Sequence, residues 1–262
     1  TEVDTLSLHD ALPISRYFIE IAYNGEAYSG WQKQPNSISI QETIETVLSN
    51  LLSDEISVVG AGRTDAGVHA LKMFAHFDAK ISDKKLNELK YLMNNYLPKD
   101  IVVKNLYNVI PKAHARFDAI SRTYEYKISK EKDPFHFPLT YFIKENIDID
   151  LMNKASKILL NYRDFKSFSK SNTDVKTFFC KIISAKWNFT KNGYIFKIES
   201  DRFLRNMVRA IVGSLIEIGM GKREINDFKK LIESRDRKNA GFSVPADRKS
   251  TRLNSSHLLI SR

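Results

Sequence analysis

An aspartate inside a glycine-rich turn constrains this chain more than any other feature of its sequence. Residues 58–70 read VVGAGRTDAGVHA, with apolar runs typical of strands on both sides of the turn. A simple hairpin needs only one or two residues with a permissive backbone, whereas this segment has Gly60, Gly62 and Gly67. Glycine allows close backbone approach, so we predict a rigid loop that displays Asp65 for a function. The alternative is a solvated Asx-type turn.

The charge balance favours a polyanionic partner. The 262 residues include 41 Lys and Arg against 31 Asp and Glu, a formal net charge of +10. Nucleic acid is the first candidate and an anionic membrane surface the second. The single cysteine, Cys180, excludes an intramolecular disulfide and fits a reducing compartment. No apolar run reaches 18 residues, and the start of the sequence lacks the pattern of a signal peptide.

The two ends of the sequence differ from the rest. Residues 11–14 and 247–250 resemble translations of the two strands of a sequencing-library adapter. We therefore predict that residues 1–15 and 247–262 are artefactual tails. Ordinary disordered tails are the alternative, since the Ser, Thr, Asn and Arg content also permits them.

Apolar periodicity predicts an α+β fold whose first half is ferredoxin-like. Alternating apolar residues over 16–24 indicate a strand, and a capping box from Ser39 to Glu42 opens a helix. A second helix follows Ser82 or Asp83. Further strands are predicted at 56–60, 68–79 and 101–109. The resulting order, β-α-β-β-α-β, is the ferredoxin-like arrangement.

The second half repeats this pattern with additions. Strands are predicted at 122–129, 178–189 and 194–199, and helices at 151–160, 203–220 and 225–232. We therefore predict two domains, residues 16–110 and 111–246, whose strands form a mixed or antiparallel sheet. A central cleft is expected between them, a common place for ligand sites.

Arginines interrupt the predicted helix at 203–220. Arg209 stands among apolar residues, where a charge is costly unless it is paired. Arg202, Arg205 and Arg209 follow the spacing i, i+3 and i+7 and are predicted to share one helical face. A solvent-facing stripe is the alternative for Arg202 and Arg205. For Arg209 we expect a carboxylate partner, and Asp65 is the obvious candidate.

Aromatic residues alternate with charges in the predicted strand SRTYEYKI, which contains Tyr124 and Tyr126. Tyrosines beside basic residues on a strand can stack on bases, although they are more often core residues, which is our interpretation of Tyr126. A zinc site is not expected, because the histidines show no ligand spacing with Cys180. The sequence also lacks dinucleotide and Walker patterns, and nothing points to a base for a nucleophilic serine.

Several motifs together resemble the bacterial tRNA pseudouridine synthase A family. GRTDAGVHA is highly specific and the arginine-containing FLRNMVRAIVGSL moderately so; RYFIEIAYNG, GWQKQPN, HARFDA and SRTYEYKI occur in the expected order. The resemblance covers residues 16–246. It implies two ferredoxin-like halves joined into one sheet around a central cleft.

The resemblance also implies a role for each matching residue. Asp65 matches the catalytic aspartate, which acts as nucleophile or otherwise drives glycosidic cleavage, and Arg209 matches the arginine that pairs with it. Such a pair keeps the carboxylate ionised. Tyr124 matches the tyrosine that contacts the target base. Arg63 matches the arginine that enters the space left when the nucleotide flips out, a step that unreachable reacting atoms require.

The implied activity is isomerisation of uridine to pseudouridine at tRNA positions 38, 39 and 40. The resemblance also implies a cytoplasmic homodimer that binds the anticodon stem-loop and needs no cofactor and no metal. Two alternatives stay open: a related synthase that modifies other RNA uridines, and a non-catalytic tRNA-binding or folding protein.

One departure from the family concerns the last strand. Family members continue with a Gly-Leu-x-Leu strand after the segment that matches 240–246, where this sequence has Asp-Arg-Lys-Ser. We therefore expect the last strand to be missing, the chain to be less stable, and its activity to be in question.

Overall fold

Two successive sets of strands and helices make up the computed structural model of the chain, which describes residues 13–134, 139–171, 175–245 and 250–253. The elements of the first set are β1 (Ser15–Tyr23), α1 (Ile40–Leu52), β2 (Val59–Gly60), β3 (His69–Ala79), α2 (Asp83–Tyr96) and β4 (Ile101–Val109). Those of the second are β5 (Arg122–Ser129), β6 (Tyr141–Phe142), α3 (Ile149–Ile158), β7 (Ile182–Thr190), β8 (Gly193–Ser200), α4 (Met207–Gly219), α5 (Ile225–Ser234) and β9 (Ser250–Leu253). The prediction of an α+β fold is confirmed.

Each set of strands has its own hydrophobic core. Helix α1 begins where the sequence predicts, because the Ser39 side chain accepts a hydrogen bond from the Glu42 backbone N–H. Its buried residues face the β1–β3–β4 strands, together with Met93 of α2. Helix α4 lies at the centre of the second core, where Met152 of α3 and Phe196 of β8 are fully buried. None of the helices in the described part of the chain is long and apolar enough to cross a membrane.

The strands form a mixed sheet in the order β4-β1-β3-β9-β5-β8-β7, with β2 beside β3 and β6 beside β5. Strand β1 pairs antiparallel with both β3 and β4, and β8 pairs antiparallel with both β5 and β7. Strand β9 joins the two groups, since it is parallel to β3 and antiparallel to β5. The expected mixed or antiparallel sheet is therefore present.

The expectation that the last strand is missing is wrong for the backbone. Residues 250–253 form β9, although they lie inside the segment 247–262 that departs from the family pattern. A strand between two open edges is stabilised by backbone hydrogen bonds, which tolerate many sequences. The remainder of this segment, and residues 1–12 of the other predicted tail, lie outside the described residues.

Helix α4 begins later than predicted, at Met207 rather than at 203. Asn206 precedes it in the left-handed conformation, with φ 70° and ψ −5°, which asparagine tolerates better than most residues. The Asn206 side chain donates a hydrogen bond to Ser243 Oγ over 2.8 Å. Arg202 and Arg205 therefore precede the helix, and the prediction that they share a helical face with Arg209 is wrong.

Removing β9 is expected to lower thermal stability. Truncation after position 246 leaves the facing edges of β3 and β5 with unpaired backbone groups. At about 1 kcal/mol net per hydrogen bond, a loss of about 3 kcal/mol lowers the melting temperature by about 6–12 °C in a chain of this size. Circular dichroism melts measure the change, with truncation after Leu253 as the control. Equal melting temperatures for the two truncations would contradict a stabilising role for β9.

Candidate active site

Three backbone hydrogen bonds anchor the loop between β2 and β3. The Ala61 backbone N–H donates to the Phe74 carbonyl over 2.8 Å, and Gly67 N–H donates to the Tyr28 carbonyl over 3.2 Å. Between these points, the Thr64 carbonyl accepts from the Trp31 N–H over 3.2 Å. The segment after β1 therefore fixes both the middle and the end of the loop.

Gly30 shows why this support needs glycine. Its φ is +101°, and a Cβ at this position would lie 2.3 Å from the Thr64 carbonyl oxygen. A side chain here would be strained and would push against the backbone just before Asp65. The sequence interpretation concerned the glycines of the loop itself and missed this one, which lies in the neighbouring segment.

The residue before Asp65 is buried and anchored. Thr64 is buried, and its Oγ1 lies 3.1 Å from the buried Tyr23 hydroxyl. The side chain of Asp65 is 36% exposed. A loop held from behind, with its carboxylate at the surface, can bring that carboxylate to a substrate without reordering the backbone.

The acidic side chain lies beside an arginine, but not the predicted one. Arg205 Nε is 3.9 Å from Asp65 Oδ1, and both side chains are well exposed. The Arg209 Nε instead donates to the Val244 carbonyl over 2.6 Å. The later start of α4 explains the difference, since it releases Arg205 from the helix and lets it reach the loop. The pairing of Arg209 with Asp65 stays a prediction.

Tyr124 and Arg63 occupy different environments. Tyr124 is half-buried beside the second core, and its ring meets Phe203 edge-to-face with the centroids 5.1 Å apart. Arg63 is exposed, two residues before Asp65 in the loop. The interpretation of Tyr126 as a core residue is confirmed, because its side chain is fully buried.

The sequence interpretation missed Arg122, which links four backbone segments. Its Nη1 donates to the carbonyls of Ala119 over 2.9 Å and Asp201 over 2.7 Å. Its Nη2 donates to the carbonyls of Arg116 over 2.6 Å and Ala61 over 3.2 Å. Ala61 begins the loop of residues 61–68, here called the Asp65 loop. Asp201 precedes the segment that carries Arg205. Only its place at the start of the SRTYEYKI strand could have indicated this role.

Burial changes the acid–base chemistry of two other groups. Burial, and then the charge of Arg16, lower the pKa of His76 to about 4, so this ring is neutral at physiological pH. Burial raises the pKa of the Cys180 thiol to about 12, which makes it a poor nucleophile. Among the described residues, no three His, Cys, Asp or Glu side chains are grouped as metal ligands.

A family profile and individual relatives both match this chain to tRNA pseudouridine synthases. A sequence profile of the family described as tRNA pseudouridine synthase matches residues 20–118 and 155–251. The chain is 50% identical over 230 residues to tRNA pseudouridine synthase A of Parabacteroides distasonis, covering 88% of this chain and 91% of the relative. It is 50% identical over 236 residues to the protein of the same name from Porphyromonas gingivalis, covering 89% and 94%.

More distant relatives carry the same name. The tRNA pseudouridine synthase A of Staphylococcus aureus strain N315 is 36% identical over 234 residues, covering 88% of this chain and 87% of the relative. Among solved structures, a putative chlorite dismutase aligns with a TM-score of 0.21 and 10% identity over 79% of this chain and 89% of that chain. That likeness is too weak to bear on the fold.

Replacing Arg122 is expected to loosen the Asp65 loop. Arg122→Met removes hydrogen bonds from four carbonyl groups, and we expect unfolding to cost about 2–4 kcal/mol less. Amide hydrogen exchange across residues 61–68 should rise at the same time, because Ala61 loses its link to the second half.

Arg235→Met is the matched control for urea unfolding and hydrogen exchange. Its ion pair with Asp164, in which the arginine side chain is exposed, should contribute less than about 1 kcal/mol. Unchanged protection of residues 61–68 in the Arg122 variant would show that Arg122 does not hold the loop.

Proposed function

Since the chain belongs to the tRNA pseudouridine synthase family, we propose that it isomerises uridine to pseudouridine at positions 38, 39 and 40 of the tRNA anticodon stem-loop. The family and the names of its relatives support the reaction and the tRNA substrate. The three positions follow from the resemblance of the sequence motifs. The single observation that carries the proposal is the carboxylate of Asp65, held half-exposed on a loop in which the preceding residue, Thr64, is buried against Tyr23.

The reaction exchanges one glycosidic bond for another. The bond from the ribose C1′ to N1 of uracil breaks, the base turns, and a bond from C1′ to C5 forms. The proton on C5 is lost and N1 gains one, so the product has the same composition and no electron acceptor is consumed. This balance explains why no cofactor is expected.

Asp65 is the proposed nucleophile. An aspartate can attack a sugar carbon as a covalent catalyst, and the ribose C1′ is the candidate target here. A rigid loop is suited to this step, because the carboxylate must hold its position while the base turns. Thr64 and Gly67 on either side of it are buried and hydrogen-bonded.

Tyr124 and Arg63 are the proposed substrate-binding residues. The Tyr124 ring is positioned by its edge-to-face contact with Phe203, which supports a role against the target base. The exposed Arg63 is free of the core and suited to enter the stack when the nucleotide flips out.

Arg209 is proposed as the partner of Asp65 in the complex with tRNA. In the structure its Nε is engaged by Val244, which leaves the terminal nitrogens of a five-donor guanidinium for a second acceptor. Arg205 makes the ion pair in the absence of RNA. Both side chains are exposed, so this pair contributes little energy and can be exchanged when a phosphate arrives.

The rest of the proposal concerns assembly and place of action. The net charge of +10 supports binding of the tRNA backbone, with phosphate contacts supplying most of the affinity. We propose a homodimer in the cytoplasm, and two ferredoxin-like halves around a central cleft. The order β-α-β-β-α-β in the first half, and again in the second with β6 and α5 added, supports this fold.

Two alternatives lead to different results in cells. A synthase for other RNA uridines would leave positions 38–40 unchanged when the gene is deleted. If the protein is a non-catalytic tRNA-binding protein, an Asp65→Ala variant would complement the deletion strain fully. Pseudouridine mapping in tRNA from the deletion strain, and from that strain carrying the wild-type or the Asp65→Ala gene, separates all three possibilities.

Asp65→Asn is expected to abolish turnover and to leave binding intact. The amide keeps the size of the carboxylate but cannot act as nucleophile, so kcat should fall by at least about 10³-fold. Release of tritium from tRNA labelled at C5 of uridine measures turnover. The tRNA dissociation constant should stay within about threefold, because phosphate contacts dominate affinity. Substantial turnover by the variant would remove Asp65 from the reaction.

Substitution of the two arginines separates their roles. Arg209→Gln should lower kcat by about 10²-fold or more, if it stabilises the ionised aspartate during the reaction. Arg205→Gln should change kcat by less than about tenfold, since it removes an exposed pair. Single-turnover kinetics under saturating enzyme measure both. A larger loss of kcat in Arg205→Gln than in Arg209→Gln would show that Arg205 is the partner of Asp65 during the reaction.

A further inference from the structure

We propose that Phe117 is a stacking platform for a nucleobase of the bound tRNA, beside the Asp65 loop. The inference rests on the proposed function and extends it to a contact outside the residues that the family resemblance assigns. It depends on four observations: the position of Phe117, the support of its ring, its exposure, and the charge around it.

Arg122 places Phe117 next to the catalytic loop. The same Nη2 nitrogen donates to the carbonyls of Ala61 and Arg116. The two carbonyl oxygens are therefore no farther apart than the sum of two hydrogen bonds. Phe117 follows Arg116 directly, and Ala61 begins the Asp65 loop. A base on Phe117 would consequently lie near the start of the loop that carries Asp65.

The Phe117 ring is the last of four aromatic rings in successive contact, which begin in the core and include one edge-to-face contact, between His76 and His114. Phe18 is fully buried and stacks on His76 with centroids 5.8 Å apart. His76 meets His114 at 4.6 Å, and His114 meets Phe117 at 4.2 Å. Phe117 itself is 76% exposed. The His114 ring supports Phe117 from the protein side, and the exposed Phe117 ring can receive a planar base.

The segment that carries Phe117 is already ordered. The His114 N–H donates to Asp118 Oδ2 over 2.7 Å, and the Asp118 N–H donates back to the His114 carbonyl over 3.0 Å. The Phe117 N–H donates to Nδ1 of His114 over 3.3 Å. Little conformational entropy is therefore lost on binding, which favours a preorganised contact.

The surrounding charge favours RNA over a second copy of the chain. Exposed Arg116 precedes Phe117 and exposed Asp118 follows it, while exposed Arg63 lies on the neighbouring loop, so that two arginines outnumber one aspartate. In a symmetric dimer built on this patch, the same basic surface would face itself. A polyanion with aromatic bases satisfies both the ring and the arginines.

Phe189 provides a matched control. Its side chain is 73% exposed and its ring also meets one aromatic neighbour, Tyr194, at 5.5 Å. Phe189 lies on β7 close to the β7–β8 turn, and the far end of β8 is Ser200. Asp201, which follows Ser200, is the residue that contacts Arg122. Phe189 thus has similar exposure and chemistry away from the Asp65 loop.

The test compares wild type, F117A, F117W and F189A on an unmodified tRNA transcript. Dissociation constants come from fluorescence anisotropy and kcat/KM from tritium release. We expect F117A to weaken tRNA binding by about 5- to 100-fold, the size of a lost stacking contact. F189A and F117W should stay within about threefold of wild type. The tryptophan fluorescence of F117W should be quenched by tRNA more than that of wild type, whose Trp31 and Trp187 are buried.

Three outcomes would overturn the proposal. They are tRNA affinity of F117A equal to wild type, equal losses in F117A and F189A, and a change of oligomeric state in F117A without a change of tRNA affinity. Circular dichroism of each variant controls for folding. Turnover by wild type is measured in the same assay, so its absence would refute the proposed function, whereas turnover with an unaffected F117A refutes the stacking role alone.

Discussion

The guanidinium of Arg122 is the contact on which the geometry of the site depends. It joins the start of the Asp65 loop in the first half to the segments around Arg116, Ala119 and Asp201 in the second. Four carbonyl groups converge on one planar cation, an arrangement that a lysine cannot reproduce. Together with the pairing of β9 to β3 and β5, this side chain holds the aspartate loop against the segment that carries the arginines after β8.

Most of the fold could be predicted because local patterns and tertiary packing agree. The predicted strands at 101–109 and 122–129 coincide with β4 and β5, and α1 begins at the predicted cap. Two failures share one cause, which is that backbone geometry is not encoded in apolar periodicity. The left-handed conformation of Asn206 makes α4 shorter than predicted. Strand β9 forms from a sequence with no strand signal because it pairs with the edges of both β3 and β5.

The loop that carries Asp65 could be predicted from the sequence, whereas the residues that support and pair with it could not. The glycines around Asp65 indicated a rigid loop, but the support comes partly from Gly30 and Arg122, which are distant in sequence. The expected partner of Asp65 was chosen from helical spacing, which does not apply to Arg205 because it lies outside the helix. Contacts that depend on loop paths and long-range backbone carbonyls leave little trace in local sequence.

Strand β9 also has a consequence for behaviour at high concentration. It is four residues long and fills a slot flanked by two much longer strands, β3 and β5. Whenever it detaches, both neighbours offer rows of unpaired donors and acceptors to any extended segment in solution. The tail of a second molecule fits that description as well as the chain's own. Detachment of β9 would therefore open a site for strand exchange between two molecules.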